Sequence, residues 1–314
     1  MRKLVIFIYC LFSSLLQSQV KKNYAPKVNL AIETYAFLKG QNAAIQKITL
    51  QFPSLEPNIA TAEKSSKVLF RRAEQNIEYF LEEELGNSEF TKLRNGIDSL
   101  LNEQLKEPIE REKYALDFIR KVSDRPHSIT DTLLLKGIIS FAYHDAPHQE
   151  MNDGHINTFT TKGHPKADKV DIKIPIPKSW LAEEAEMPET IQQFTSYHGK
   201  GNEKILILVY DLPANNWDIR LNEQSISEMI PPTTDLIRCE NVTIDGRQGM
   251  MAEVEETLND KMKIRMLQFM FVQKRKLYCL QGSIGPVQIS ENLKFQMKKQ
   301  EPLFRLIATK MQID

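Results

Sequence analysis

Residues 235–284 read DLIRCENVTIDGRQGMMAEVEETLNDKMKIRMLQFMFVQKRKLYCLQGSI, and this stretch decides the fold. Four segments in it have the length and the β-branched, aromatic and methionine content of strands: 235–244, 249–258, 263–272 and 276–284. They are joined by DGRQG, NDK and QKRK, each short enough only for a hairpin. Short hairpins force antiparallel neighbours, so four consecutive strands make a meander. Asp245-Gly246 and Gly249 supply the positive φ that a tight connection needs.

Working outward, VDIKIPIP (170–177) alternates Val170, Ile172, Ile174 and Ile176 on one face. Pro175 and Pro177 lack N–H donors, which suits an edge strand. Trp180 is placed to cover one end of the core. IQQFTSYH (191–198) is another strand candidate. KILILVYDL (204–212) is apolar almost throughout, the signature of a central strand buried on both faces. SISEMIPP is a short helix stopped by Pro231. The closing segment, 292–312, carries Leu303, Phe304, Leu306 and Ile307 on one helical face. Antiparallel strands with helices at the ends give an α+β class, a sheet sandwiched between helices.

IPIPKSW, ILILVYDL, TIDGRQGMMAEVE, MLQFMFVQKRKLYCLQG and LFRLIATKM follow one another in an order and spacing that resemble the Mog1/PsbP-like fold, including DcrB-type envelope proteins. The resemblance spans about residues 169–314 and implies an antiparallel sheet flanked by helices. It also implies roles in binding or assembly without catalysis, and it transfers no site residue.

Residues 20–142 follow helical periodicity. Val28–Leu38 and Gln41–Gln51 read as two short helices, the second stopped by Pro53. The 55–86 segment carries the strongest stripe and ends at Gly86, with Asn87 or Ser88 to cap the next helix. A further helix starts at Pro108. TLLLKGIISFAY (132–143) reads as a buried helix, with Gly137 counting against it. The whole region is expected to be a bundle with Lys and Glu on its outer faces.

Between the halves, residues 143–169 hold four of the six histidines and the breakers Pro147, Gly154, Gly163 and Pro165, which marks a His-rich linker. HDAPH (144–148) sits close to the H-E-x-x-H of zinc proteases. Pro147 interrupts the helix such a site needs, and Asp145 is too short for the general base. The alternative reading keeps His144, His148, His155 and Asp153 as ligands for zinc or copper in an irregular loop, serving a metal-binding protein or metal-dependent enzyme.

The remaining signals bound the function. The chain has 314 residues and balanced charge, 41 basic against 41 acidic, so no global field steers it to nucleic acid. MRK, an apolar run from Leu4 to Leu16 and QSQVKK form a secretory signal covering residues 1–19, cut near Ser18–Val20. The run is short for a membrane span, so no transmembrane segment is expected after cleavage. Cys239 and Cys279 fall three strands apart in a meander, roughly 14 Å, whereas a disulfide needs Cα atoms about 4.4–6.8 Å apart. No G-x-S-x-G, Walker or dinucleotide fingerprint occurs, and YHGKG (197–201) reads as a turn because no helix follows it. The glutamates of EVEETLND (253–260) read as a solvated strand face. Together these point to an exported, periplasmic or extracellular accessory protein without a cofactor, binding another envelope protein or a small ligand.

Overall fold

The computed structural model describes residues 24–64, 66–124, 133–167, 170–185, 187–214 and 219–314. The expected signal segment, 1–19, lies outside them. The chain forms two compact units, Met1–His144 and Asp145–Asp314. It is an α+β protein, with a helical N-terminal region followed by antiparallel sheets.

The first unit is built on α1, Pro26–Gln51, which opens with proline where a missing N–H costs nothing. One continuous helix replaces the two expected. Gly40 inside it costs about 1 kcal/mol relative to alanine, and burial of Tyr35, Leu38, Ile45 and Ile48 along the same helix outweighs that. The 55–86 stripe, by contrast, divides into α2 (Glu56–Glu63) and α3 (Lys67–Leu85). Gly86, at φ 76°, ends α3 and also serves as the N-cap of α4 (Asn87–Gln104), so neither Asn87 nor Ser88 caps it. α5 (Glu112–Asp124) starts four residues after Pro108 and buries Ala115, Phe118, Ile119 and Val122.

The 132–143 segment contains α6, Leu133–Ala142. Gly137 is what lets it approach α1. A Cβ there would stand 2.4 Å from Thr34 Oγ1, whose hydroxyl donates to the Leu30 carbonyl. Asn76 on α3 donates to the Phe141 carbonyl at 2.9 Å, satisfying an acceptor that the helix end leaves open. The Phe80 and Phe141 rings pack 5.5 Å apart beside it.

In the second unit, the stretch expected to be a linker, 143–169, is largely folded. Residues 145–167 belong to the folded unit. Pro147 is the N-cap of α7 (His148–Asn152), Gly154 turns the chain at φ 84°, and β1 (Ile156–Thr160) follows. The breakers mark tight turns between short elements, and Met151 is anchored in the core.

β1 pairs antiparallel with β2 (Ile172–Pro177), and β2 pairs on its other side with β10 (Gln312–Ile313). The proline-bearing strand is therefore central, against the edge expectation. The physical rule still holds locally. Ile172 exchanges bonds with Thr161 on the β1 side, so residues 173, 175 and 177 point the other way. β10 covers that side only at Ile172 and Lys173, and Pro175 and Pro177 lie beyond it.

The main sheet has seven strands in the order β3-β4-β5-β9-β8-β7-β6. They are β3 (Leu181–Glu183), β4 (Thr190–Thr195), β5 (Glu203–Asp211), β6 (Thr234–Ile244), β7 (Arg247–Asn259), β8 (Met262–Gln273) and β9 (Lys276–Gln288). β6 to β9 form the expected meander. Asp245 and Gly246 adopt positive φ at its first turn, as do Lys274 and Arg275 at its last. Gly249 does not. It is needed because a Cβ would meet the Met270 carbonyl oxygen at 2.3 Å across the β7–β8 ladder.

β5 is buried on both faces, as its sequence implies. Ile205 and Ile207 join one core with Trp180, Leu267, Phe269 and Phe271. Each such side chain contributes about 1.5–3 kcal/mol. That core is closed by α9 (Leu293–Thr309), whose Phe304 ring lies over Gly282. Leu206 and Leu208 join a second core with Met250, Met266, Met270 and Cys279, packed with Ile226 of α8 (Glu223–Met229). α8 is fixed by a reciprocal capping box between Asn222 and Ser225.

Candidate functional site

The histidine-rich segment is distributed rather than gathered. His144 closes the first unit, its ring edge-on to Phe80 at 5.7 Å. α6 stops at Ala142 and α7 begins after Pro147, so no helix runs from His144 to His148. His148 Nε2 lies 3.1 Å from the Gln149 side-chain nitrogen. Asp153 is the exposed C-cap of α7. His155 is held through its backbone, its N–H donating to the Glu150 carbonyl and its carbonyl accepting from Lys178. Burial, then the Lys178 charge, lowers the His155 pKa, and Asp153 only partly opposes this. The His164 ring accepts from the Lys166 backbone N–H through Nδ1. Among the described residues no group of three His, Cys, Asp or Glu side chains is placed to hold a metal ion. None of His144, His148, His155 and Asp153, the expected zinc or copper ligands, belongs to such a group among the described residues.

A different cluster stands out in the second unit, at the β2–β3 corner and the β4–β5 connection. YHGKG is the turn its sequence suggested, but an unusual one. Tyr197 and His198 both adopt left-handed backbone, at φ 50° and 52°, followed by Gly199 at 82°. Consecutive non-glycine residues in this region cost about 1–2 kcal/mol each and need support. The support is visible. The His198 N–H donates to the Ser179 carbonyl at 2.8 Å, the Gly201 N–H to the Ser196 carbonyl at 3.0 Å, and the Ser196 hydroxyl to the Glu203 carboxylate. Gly201 has to be glycine, since a Cβ would fall 1.9 Å from Ser196 Oγ.

Glu150, from α7, is buried within this corner. It accepts the Ser179 N–H at 2.7 Å on one oxygen and the Ser179 hydroxyl at 2.6 Å on the other. Tyr197 is buried too. Desolvation, then the charges of Glu203, Asp145 and Glu150, raises its phenol well above the ordinary value. At neutral pH it stays protonated, a hydrogen-bond donor and not a base. Nothing in the local sequence announced Glu150 as a buried acceptor. The one signal was the polar Tyr197-His198 pair placed directly before Gly199.

Under α9 lies a chain of ion pairs. Arg265 holds Glu253 at 2.6 Å and Glu255 at 3.2 Å, Lys263 also holds Glu255, and Arg238 bonds Glu253, Glu240 and Glu301. Arg305 closes the chain by reaching both Glu240 and Glu301. Glu253 is only 5% exposed, so the solvated reading of EVEETLND is corrected at Glu253 and Glu255. Alternation alone does not distinguish a solvated face from one whose neighbouring strands carry opposite charges beneath a helix. Both cysteines are free thiols, three strands apart as expected. Burial pushes Cys279 up to about 12, and burial followed by the Glu223 charge raises Cys239, so neither is a thiolate nucleophile at neutral pH.

No helix among the described residues is long and apolar enough to cross a membrane. No protein-family model matches the sequence, and no curated protein does. Among solved structures the chain is similar to cyanobacterial PsbP (CyanoP) from Synechocystis, with 13% identity and a TM-score of 0.34. That likeness covers 51% of this chain and 93% of the other, a loose PsbP-like resemblance of fold.

Proposed function

We propose that this chain is an exported accessory protein of the cell envelope, of Mog1/PsbP-like type, that binds another envelope protein or a small ligand and performs no turnover. One observation carries the reading. Among the described residues, the buried charged groups of the sheet unit are spent on one another or on local donors: Glu150 on Ser179, Glu203 on Ser196, and Glu253 on Arg265 and Arg238. A general base or nucleophile needs a free lone pair directed at substrate, and these carboxylates are committed to holding corners and helices in place. Export rests on the basic, apolar and polar succession of the first 19 residues.

The test is expression of the full chain in its native cell, with fractionation, N-terminal sequencing and crosslinking in place. The expected result is a mature chain starting near Ser18–Val20, in the envelope fraction, crosslinked reproducibly to one partner. An unprocessed chain in the cytosol would overturn the export reading. A turnover abolished by one point substitution would overturn the non-enzymatic one.

A further inference from the structure

We infer that the end of the main sheet formed by the β7–β8 hairpin and the β9–α9 connection docks on an anionic lipid surface. Three large apolar side chains are exposed there: Leu258 at 45%, Ile289 at 46% and Phe295 at 77%. Backbone pairing places the first two together. Thr257 and Val287 both pair with Lys263, so the ends of β7 and β9 flank the start of β8, about 10 Å apart. The Ile289 N–H donates to the Lys261 carbonyl at 2.9 Å, tying the β9 exit to the hairpin tip. Phe295 follows six residues later in the first turn of α9, where Leu293 faces the core and Phe295 does not.

Charge selects the occupant. The whole chain is balanced, 41 basic against 41 acidic. This end is not: residues 258–263 and 288–299 hold Lys261, Lys263, Lys294, Lys298 and Lys299 but, of acidic residues, Asp260 and Glu291 alone. Lys263 is engaged with Glu255, whereas Lys261, Lys294 and Lys298 sit in exposed positions beside the apolar tips. Lys298 lies one helical turn beyond Phe295. Apolar tips flanked by lysines suit a bilayer interface, where the apolar side chains enter the headgroup boundary and the ammonium groups meet anionic lipid. Tyr79, exposed on α3, belongs to the first unit.

The inference uses the envelope reading only as setting, since vesicle binding reads this surface alone. The full mature chain is sedimented with phosphatidylcholine vesicles, with and without about 40% phosphatidylglycerol, at low and high salt. Binding is expected only to the anionic vesicles, weakening as salt rises. Phe295→Asp should weaken it by at least about ten-fold, and each of Lys261→Gln, Lys294→Gln and Lys298→Gln by about five-fold. Tyr79→Asp should leave it unchanged. Thermal melts establish that each variant is folded. Equal binding to neutral vesicles, no binding to either, or a folded Phe295→Asp that binds like the parent would overturn the proposal. So would capture by an immobilised acidic polypeptide without vesicle binding, because the occupant would then be a protein.

Discussion

Replacing Glu253 by glutamine tests how much the buried ion pairs beneath α9 contribute to stability. Glu253 sits at the middle of the ion-pair chain, its side chain 7% exposed and between two guanidinium groups. One oxygen takes Arg265 Nε at 2.7 Å and Nη2 at 2.6 Å, and the other takes Arg238 Nε. Removing one partner of a buried pair costs about 3–5 kcal/mol, because the remaining charge is stranded. Two features reduce that. Arg238 is 35% exposed and keeps Glu240 and Glu301, and Arg265 (10% exposed) keeps Glu255. The expected loss is then about 2–3 kcal/mol, which for a unit of this size lowers Tm by about 5–10 °C. Calorimetry of the full chain would resolve it as a shift of one transition. A companion variant sharpens the reasoning: Glu253→Met with Arg265→Met removes both charges and should fall within about 1 kcal/mol of the parent. A Glu253→Gln protein melting within about 1 °C of the parent would refute the argument. So would a double variant as unstable as the single one.

Two further predictions concern the same helix. Burial alone would raise the Glu301 carboxyl, but hydrogen bonds from Arg305 and Arg238, with their charges, bring it below the ordinary carboxylate range. A depressed folded-state pKa stabilises fully above the unfolded value, and that contribution disappears as pH falls through the folded one. Urea midpoints measured from pH 7 down to pH 3 should therefore fall more steeply for the parent than for Glu301→Gln; parallel curves would contradict the assignment. Gly282→Ala places a methyl carbon 2.3–2.6 Å from the Phe304 ring and should cost about 1–3 kcal/mol in urea unfolding. Pairing it with Phe304→Leu should recover part of that loss.

Local rules carried the sheet unit well. The four-strand meander, the doubly buried β5 and the separation of Cys239 from Cys279 all follow from hairpin length and apolar patterning, which are local quantities. The departures come from long-range terms. Gly40 and Gly137 argue against helix by propensity, but packing along α1 outweighs the first and close approach to Thr34 requires the second. EVEETLND alternates as a solvated strand would, and only Arg238 on β6 with Lys263 and Arg265 on β8, beneath α9, engages Glu253 and Glu255. The histidines of 144–164 suggested a ligand set because they are neighbours in sequence. The turns at Pro147 and Gly154 commit each to a different local task. The strained Tyr197-His198 turn was legible as a turn, but its buried neighbour Glu150 arrives from 47 positions upstream, beyond the reach of any local pattern.

The position of β2 between β1 and β10 bears on how the second unit can be cut and rejoined. A fragment starting at Val170, where apolar alternation begins, would discard β1 and leave Ile172–Pro177 exposed along a long open edge, prone to aggregation. A fragment starting at Asp145 keeps the strand that shields it. β1 and β10 flank the same short strand about 10 Å apart, but the chain's last strand lies opposite Ile172 and Lys173, beside Thr160, whereas β1 begins at the other end of β2, opposite Pro177. A circular permutant with new termini in the exposed Asn259–Lys261 turn therefore needs a linker long enough to run back along β2, and with it every ladder but that hairpin's connection stays intact.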